Sequence, residues 1–455
     1  MRRFESATAV LFVAVSILVP TMVSAGDSPE DDEVDVVVLT PYDAIERARS
    51  NSHEIRIGAI EVEESELAFE EARRRRLPEV NLEGQYLNNV LLPVMVLPAD
   101  SPFGAQVLET GTQHNVEATA QASIPIYSPQ LNRNVDLADV VRQLDAALQE
   151  ATVREIEIEV QRAFVNALVA RESLEVLQES RQTLEHNLEL VESMYEEDAA
   201  PEYDLIRTEV QVANLQPELT GARHNYEGAL NYLKLLTGIS MGTVVELDEE
   251  LDDFYRRLPG VDYEPDFDDN PELIQLDGQR RIADAQVDVE RASYLPTLSA
   301  FGNFTYRGQG DDIEFWDYEW TDTAAVGLAL SIPLFSPGRR QRLEQARAEY
   351  RRATLQREFV RESLHADYQT TTNRIEELGE TIAAQRRNVE QAERGFEIAQ
   401  VSYEEGAYSL KDVNDAEEAL TEARLNHSNV VAEYINAVLD LEELVGTTET
   451  TTVYE

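Results

Sequence analysis

The octapeptide SIPLFSPG at residues 331–338 has a near copy, SIPIYSPQ, at residues 123–130. The copies lie 208 residues apart (331 − 123), and each follows a short alternating run and precedes a long charged helical pattern. Proline donates no hydrogen bond to a sheet and favours a strand end or a helix start. Each copy therefore predicts a hinge at which a strand ends and a long helix begins. The hinge prolines are Pro125, Pro129, Pro333 and Pro337.

The same offset continues downstream without a gap. Corresponding pairs are Tyr195 with Tyr403, Asp204 with Asp412, and Gly238 with Gly446. An offset held from residue 123 to residue 238 indicates an internal duplication, which outweighs local propensity in predicting a fold. We predict two structural repeats, residues 26–238 and 270–446, joined by an acidic linker of irregular structure at 239–269.

Composition excludes several kinds of site. The chain of 455 residues contains no cysteine, which excludes disulfides, thiolate metal sites, a cysteine nucleophile and a lipid-modified N-terminal cysteine. Its 88 acidic and 38 basic residues give a net charge of −50. Such a surface repels nucleic acid and anionic membranes. The acidity also fits a high-salt habitat, where screening shortens the range of self-repulsion to about 3 Å.

The two ends of the chain, residues 1–25 and 447–455, differ in composition from the repeats between them. Arg2 and Arg3 precede an apolar run at 9–19, and small residues follow at 23–25, so residues 1–25 are typical of a signal peptide. The alternative is a membrane anchor, but the apolar run is too short to span a bilayer. We expect export across the inner membrane of a diderm bacterium, and a flexible C-terminus at 447–455.

Four segments show the alternation of a strand with one apolar face. In the first, Val80, Leu82, Gly84 and Tyr86 alternate with polar residues. The predicted strands are about 79–88 and 116–126 in the first repeat and about 297–307 and 324–334 in the second. Each is about as long as a transmembrane β-strand, which needs ~9–11 residues.

A very long helical hairpin follows each strand pair, at 129–238 and at 337–446. In the first hairpin, Leu174, Leu177 and Leu184 have the spacing of a coiled-coil seam. At ~1.5 Å per residue the outgoing helix would be roughly 100 Å long, which exceeds any single globular domain. Because the return helix is about half as long, we predict that a shorter preceding helix stacks end to end with it.

Four strands are too few to close a barrel, and an open sheet edge is not viable in lipid. Three chains would supply twelve strands, within the size range of closed outer-membrane barrels. The polar alternate residues would then face a water-filled lumen. We expect aromatic residues at the membrane interfaces, namely Tyr86, Tyr127, Phe304, Tyr306 and Phe335. The alternative is a soluble sheet packed on helices, but no helix shows a matching wide apolar face.

The chain resembles the TolC-like outer-membrane factor family. The resemblance rests on the paired strand-and-hinge blocks and on YEEG at 403–406 followed by SLKDVNDA at 409–416. It implies a mainly α-helical homotrimer in which a twelve-stranded β-barrel in the outer membrane continues into a periplasmic coiled-coil tunnel. The implied function is a passive exit duct of a tripartite efflux or type I secretion system. The implied partners are a periplasmic adaptor (membrane fusion) protein and an inner-membrane transporter.

The resemblance also implies a gate at the periplasmic helix tips. Asp412 and Asp415 match acidic rings at the family's constriction, and rings of carboxylates select for cations. Their alternative role is that of solvated surface acids, which are common in so acidic a chain. Asp204 and Tyr403 match a pair that links the hairpins in the closed state. Tyr408 stands where well-studied members have an arginine that strengthens closure, so the resemblance does not extend to their full lock.

No motif indicates catalysis. The six histidines are scattered, and no Gly-rich phosphate loop is present in the sequence. We therefore expect no enzyme, no cofactor and no metal site. The alternative function is a soluble periplasmic coiled-coil adaptor or scaffold, against which the four strands of lipid-spanning length argue. The sequence leaves the cargo open among drugs, metals and polypeptides.

Overall fold

The computed structural model describes residues 36–97, 106–258 and 263–448. The predicted signal peptide and residues 449–455 of the predicted flexible C-terminus lie outside these residues. In chain order the elements are β1 (Val36–Leu39), α1 (Pro41–Asn51), α2 (His53–Arg74), β2 (Glu79–Asn88), β3 (Val94–Leu97), β4 (Gln106–Glu109), β5 (His114–Tyr127), α3 (Pro129–Glu196), α4 (Glu202–Thr237), β6 (Val244–Leu247), α5 (Leu251–Arg257), α6 (Pro271–Ala292), β7 (Thr297–Gly310), β8 (Glu319–Ser331), α7 (Arg339–Glu404) and α8 (Leu410–Val445).

The four predicted strands form one antiparallel sheet in the order β2-β5-β7-β8. The register places apolar positions opposite one another, as where Leu82 pairs with Ala120 and Ala120 with Phe304. The outer edges of β2 and β8 pair with no strand of the described chain. β7 continues to Gly310 and β8 begins at Glu319, so the loop between these strands is shorter than predicted.

The hinges differ in detail between the repeats. In the first, β5 ends at Tyr127 and α3 begins at Pro129, where the Ser128 side chain accepts a hydrogen bond from the Leu131 amide at 3.4 Å. In the second, β8 ends at Ser331, short of the predicted strand end at 334, and α7 begins only at Arg339. The second hinge is therefore a longer connection, spanning residues 332–338.

Short helices stack end to end beside the long ones, as predicted. α4 is capped by Gly238, whose φ is +68°, and a Cβ built there would lie 2.7 Å from the Asn51 Cβ at the end of α1. α8 ends in the same way at Gly446, with φ +75°, where a Cβ would lie 2.3 Å from the carbonyl carbon of Asp269, just before α6. Only glycine fits such a close approach at positive φ.

The prediction that residues 239–269 are irregular is wrong for Val244–Leu247 and Leu251–Arg257, which form β6 and α5. β6 pairs in parallel with β1, and α5 buries Phe254 completely against the long helices. The Arg171 guanidinium of α3 donates to the Leu247 and Glu249 carbonyl oxygens at 2.8 and 2.5 Å, which fixes the segment to the helical body. This small sheet and the largest hydrophobic cluster lie together, with Phe164 of α3 at 0% exposure. None of the helices described is apolar over the length that a membrane span needs.

Candidate functional site: the two-faced sheet and the helix tips

One face of the four-stranded sheet is apolar and uncovered. Val326 is 90% exposed, Leu82 80% and Leu328 69% in the isolated chain. Alanine and glycine occupy the central strands on this face, so few bulky side chains project from its middle. Gly302, for example, lies opposite Val326. An apolar surface of this extent requires a partner or a lipid environment to cover it.

The opposite face of the sheet is polar and cross-linked by side chains. Arg307 of β7 donates to the Glu117 carboxylate of β5 at 2.8 Å. Thr119 and Thr305 share a hydrogen bond of 3.0 Å between the same two strands. Because the register puts every second residue on this side, most polar side chains lie on this face and most apolar ones on the other, with Phe301 and Asp322 as exceptions.

Aromatic residues gather at the end of the sheet that lies away from the long helices. Tyr306 and Trp320 stack with ring centroids 4.8 Å apart, and Tyr86 meets Phe315 edge-on at 6.3 Å. Phe304 was expected at an interface, but the register places it opposite Ala120, in the middle of the apolar face. Trp320 was missed because it fell in a predicted loop, although Trp316, Tyr318 and Trp320 already alternate in the sequence.

At the tip of the second hairpin, Asp412 caps α8. The Asp412 carboxylate accepts hydrogen bonds from the backbone amide of Ser409 at 2.8 Å and from its hydroxyl at 2.6 Å, which completes a capping box. These hydrogen bonds hold the pKa of Asp412 below its ordinary value. Asp415 is exposed, pairs with Lys411 and lies 3.8 Å from the Arg207 guanidinium of the first hairpin. The Asp412 carboxylate is therefore held in its ionised form at the tip.

The matched pair of Asp204 and Tyr403 is close but not directly bonded. The Tyr403 hydroxyl donates to Met194 Sδ at 3.4 Å, and among the described residues it makes no hydrogen bond to Asp204. Burial, together with the charge of Asp204, raises the pKa of Tyr403. Tyr403 thus reaches the first hairpin through α3 rather than through α4.

A polar bridge that the sequence did not reveal joins the two hairpins. Asn414, buried in α8, donates to Gln211 Oε1 of α4 at 2.6 Å, and its Oδ1 accepts from Asn187 of α3 at 3.3 Å. Further along α8, Arg424 pairs with Glu179 of α3 at 2.7 Å. Asn414 departs from the apolar coiled-coil pattern, and a polar residue at such a position is a recognised sign of a specific contact.

A buried carboxyl adds a pH-dependent element to the same contact. Glu417 of α8 is buried against α3, where it hydrogen-bonds Ser180, and it also accepts from Thr421 at 3.0 Å. Burial raises the pKa of Glu417, with a smaller contribution from the neighbouring charge of Glu418. Protonation therefore favours the state in which the hairpins are in contact, and this stabilisation is lost as pH rises through the raised pKa.

In the channel that the resemblance implies, we expect the Glu417→Gln variant to lose part of the pH dependence of opening. In planar bilayers, wild-type openings should become rarer as the pH is lowered from about 7.5 towards the ordinary carboxyl range near 4. Glutamine mimics the protonated carboxyl, so the variant should be less open at neutral pH and respond less to acid. Glu422→Gln removes an exposed carboxylate further along α8 and is the matched control. An unaltered pH response in Glu417→Gln would exclude this role.

Comparisons with known proteins agree on one family. The family model described as outer membrane efflux protein matches residues 44–239 and 268–447. The outer membrane protein TolC of Vibrio cholerae is 22% identical over 385 residues, 84% of this chain and 84% of that protein. The cobalt-zinc-cadmium resistance protein CzcC of Cupriavidus metallidurans is 22% identical over 365 residues, 78% of this chain and 83% of that protein.

A solved structure shows the same fold. The outer membrane protein VceC from Vibrio cholerae aligns with a TM-score of 0.71 at 18% identity. The alignment covers 90% of this chain and 96% of that chain. The sheet and the long helical hairpins described above therefore belong to a known architecture.

Proposed function

The chain belongs to the outer membrane efflux protein family, and on this premise we propose that three copies of it form the passive exit duct of a tripartite efflux or type I secretion system. The protein is located in the outer membrane, as the family description and its relatives state. The observation that carries the proposal is the sheet: four strands, one exposed apolar face, one polar face and two free edges.

The order of the elements supports closure of the ring. β8 of one subunit would pair with β2 of the next, which gives twelve strands with the apolar face towards lipid and the Glu117–Arg307 face towards the lumen. The membrane-proximal helices follow the same order, since α2 contacts α3, α3 contacts α6 and α6 contacts α7. The barrel would therefore continue into a helical tunnel whose wall repeats three times.

The duct would be opened and supplied by partner proteins. A periplasmic adaptor and an inner-membrane transporter would dock at the helix tips, and the transporter would provide the energy. Opening would separate the second hairpin from the first and break the Asn414–Gln211 and Asp415–Arg207 contacts. The Tyr403–Met194 contact lies in the same region, near Asp204, and would break in the same movement.

We propose that Asp412 and Asp415 form two rings of three carboxylates at the closed tip. Both side chains are exposed in the single chain, and they lie three residues apart on one side of α8. Carboxylate rings in a narrow pore favour cations over anions. The second role of Asp412, as helix cap, means that its charge and its hydrogen bonds must be tested separately.

Replacing both residues, as Asp412→Ala with Asp415→Ala, should lower the cation-to-anion permeability ratio several-fold. The measurement is the reversal potential across a planar bilayer under a salt gradient. Ser409→Ala removes the capping partner but keeps both charges, so it controls for the loss of about 1 kcal/mol of helix capping. An unchanged ratio in the double variant would show that the carboxylates do not line the constriction.

The alternative function, a soluble periplasmic adaptor or scaffold, receives no support from the family or from the solved channel fold. Fractionation separates the two functions directly. A soluble adaptor would leave the membrane fraction in mild salt, whereas a barrel protein is released only by detergent.

A further inference from the structure

Two arginine clusters stand out in a chain with a net charge of −50. One closes α2 at Arg73, Arg74, Arg75 and Arg76, and the other opens α7 at Arg339, Arg340 and Arg342. Both lie where a helix meets the membrane sheet, since β2 begins at Glu79 and β8 ends at Ser331. We call them the seam clusters.

Carboxylates neutralise the seam clusters only in part. Arg74 and Arg75 pair with glutamates one turn away at 3.1 and 2.8 Å, but both pairs are exposed and contribute little. Arg342 lies 3.6 Å from Glu290. Arg76 and Arg340 form no ion pair within the described chain, although the chain offers 88 acidic residues. Two guanidinium groups are therefore available to another anion.

The two clusters stand at about the same height along the helices. Arg142 of α3 lies over the Phe69 ring of α2 at 5.3 Å, and the next residue, Gln143, accepts from Arg281 of α6 at 2.6 Å. One helix further on, Glu290 of α6 meets Arg342 of α7. Towards the membrane sheet, Arg76 lies seven residues beyond Phe69, and Glu290 lies nine residues beyond Arg281. Since α2 and α6 rise in the same direction, Arg76 and Arg342 are level.

The clusters occupy the two outer flanks of the four-helix wall. α2 and α7 are the end members of the order α2-α3-α6-α7. In the trimer proposed above, on which this inference rests, α2 of one subunit lies beside α7 of the next. Rotation about a three-fold axis preserves height, so the two positive clusters meet across each subunit seam. Like charges at such a contact repel each other, and an anion bound between them would relieve the repulsion.

We infer that the headgroup of an anionic phospholipid binds at each seam, between Arg76 of one subunit and Arg340 of the next. The phosphate would accept charge-assisted hydrogen bonds from both guanidinium groups. Arg75 and Arg76 follow the last residue of α2 and precede β2, so they stand between the helical body and the membrane sheet. Each trimer would hold three such sites, and each site is incomplete without the neighbouring subunit.

The surroundings of the clusters favour a lipid over a free anion. Leu334 and Phe335 are 92% and 88% exposed immediately before the α7 cluster, and Leu77 is exposed immediately after the α2 cluster. These apolar side chains would contact acyl chains beside a bound headgroup. The opposite end of the sheet has the reverse charge, with Asp311, Asp312, Glu314, Asp317 and Glu319 in and beside its loop. The clusters of positive charge therefore lie on the helix side of the membrane sheet, whereas Arg307, near the other end, is paired with Glu117.

The test uses the mature protein purified in dodecyl maltoside. Dioleoylphosphatidylglycerol, dioleoylphosphatidylcholine or inorganic phosphate is added, and the temperature at which subunits dissociate is measured. We expect phosphatidylglycerol alone to raise the midpoint, by about 3 °C. Equal shifts with phosphatidylcholine, or a shift with inorganic phosphate alone, would overturn the assignment of an anionic lipid.

Variants locate the site. Arg76→Gln with Arg340→Gln should abolish the phosphatidylglycerol shift, whereas Arg76→Lys with Arg340→Lys should keep part of it. The matched control is Arg386→Gln with Arg387→Gln, an adjacent pair roughly 70 Å further along α7. A shift retained in the first variant would refute the seam site. The wild-type comparison of lipids needs no variant, so it decides the lipid class even if a variant fails to assemble.

The number of subunits in each particle distinguishes an error in the lipid site from an error in the proposed function. Light scattering on the same samples counts the subunits in each particle. A trimer that shows no response to phosphatidylglycerol would overturn the lipid site alone. A particle that is not a trimer would overturn the duct itself, whatever its response to lipid.

Discussion

Replacing Val326 by arginine is expected to keep most of the protein out of the outer membrane, whereas the same replacement at Ala325 should be tolerated. Val326 lies at the centre of the apolar face, opposite Gly302, and Ala325 lies on the polar face, opposite Asn303. A cation at the lipid midplane of a barrel costs about 2–4 kcal/mol. In a trimer that cost is incurred three times, whereas a cation in the lumen remains in water.

The measurement is the amount of folded protein in the outer-membrane fraction, followed by urea unfolding of the protein refolded into phosphatidylcholine vesicles. We expect little folded Val326→Arg and near wild-type amounts of Ala325→Arg. The two positions are adjacent on one strand and exposed in the single chain, so they differ mainly in the face that they occupy. Equal loss for both variants, or for neither, would contradict the assignment of the faces.

Replacing Gly446 by alanine is expected to destabilise the helical body by about 3 kcal/mol or more. The residue has φ +75°, and an added Cβ would lie 2.3 Å from the carbonyl carbon and oxygen of Asp269. Backbone atoms cannot rotate aside, so the end of α8 and the start of α6 would have to separate. That movement would disturb Asn270, whose side chain caps α6 and donates to the Leu444 carbonyl at 3.1 Å.

Gly406→Ala provides the matched control. Gly406 has nearly the same backbone conformation, with φ +74°, but no atom within 4 Å of an added Cβ. We expect it to lose only the conformational cost of an alanine at positive φ, about 1–2 kcal/mol. Thermal unfolding of the two variants in detergent separates the contact from the backbone strain. If both lose the same stability, the end-to-end stacking of the helices contributes nothing.

The parts of the fold that were predictable follow from local patterns. Alternation predicts the strands, coiled-coil spacing predicts the long helices, and Pro129 and Gly238 mark where a helix begins and ends. The equal offsets of the two repeats then predict that both halves have the same architecture. These signals lie within stretches of about ten residues or more, long enough for a period to be recognised.

The parts that were missed depend on pairings that no local pattern shows. β1 and β6 are four residues each and lie about 200 residues apart in sequence, so neither carries a period of its own. The position of Phe304 depends on the register of β7 against β5, which the alternation alone leaves open. β5 and β7 extend beyond the predicted limits and β8 begins earlier than predicted, because cross-strand pairing continues past the alternating core, although β8 also ends short of the predicted limit.

Only some features of the proposed gate could be predicted from the sequence. The capping role of Asp412 could have been found, since Ser409 and Asp412 have the spacing of a capping box. The Asn187–Asn414–Gln211 bridge could not, because it joins three helices from two hairpins. The acidic rings and the Asp204–Tyr403 link depend on neighbouring subunits or on the conformational state, and they stay predictions.

The central claim is that identical chains complete a wall that one chain leaves open. The most direct test is the number of chains in the detergent-solubilised particle, measured by light scattering with the detergent contribution subtracted, on the same sample that is then placed in a planar bilayer. The predicted result is three chains and a stable ionic conductance. A particle of one or two chains, or a three-chain particle that conducts no ions, would contradict the account.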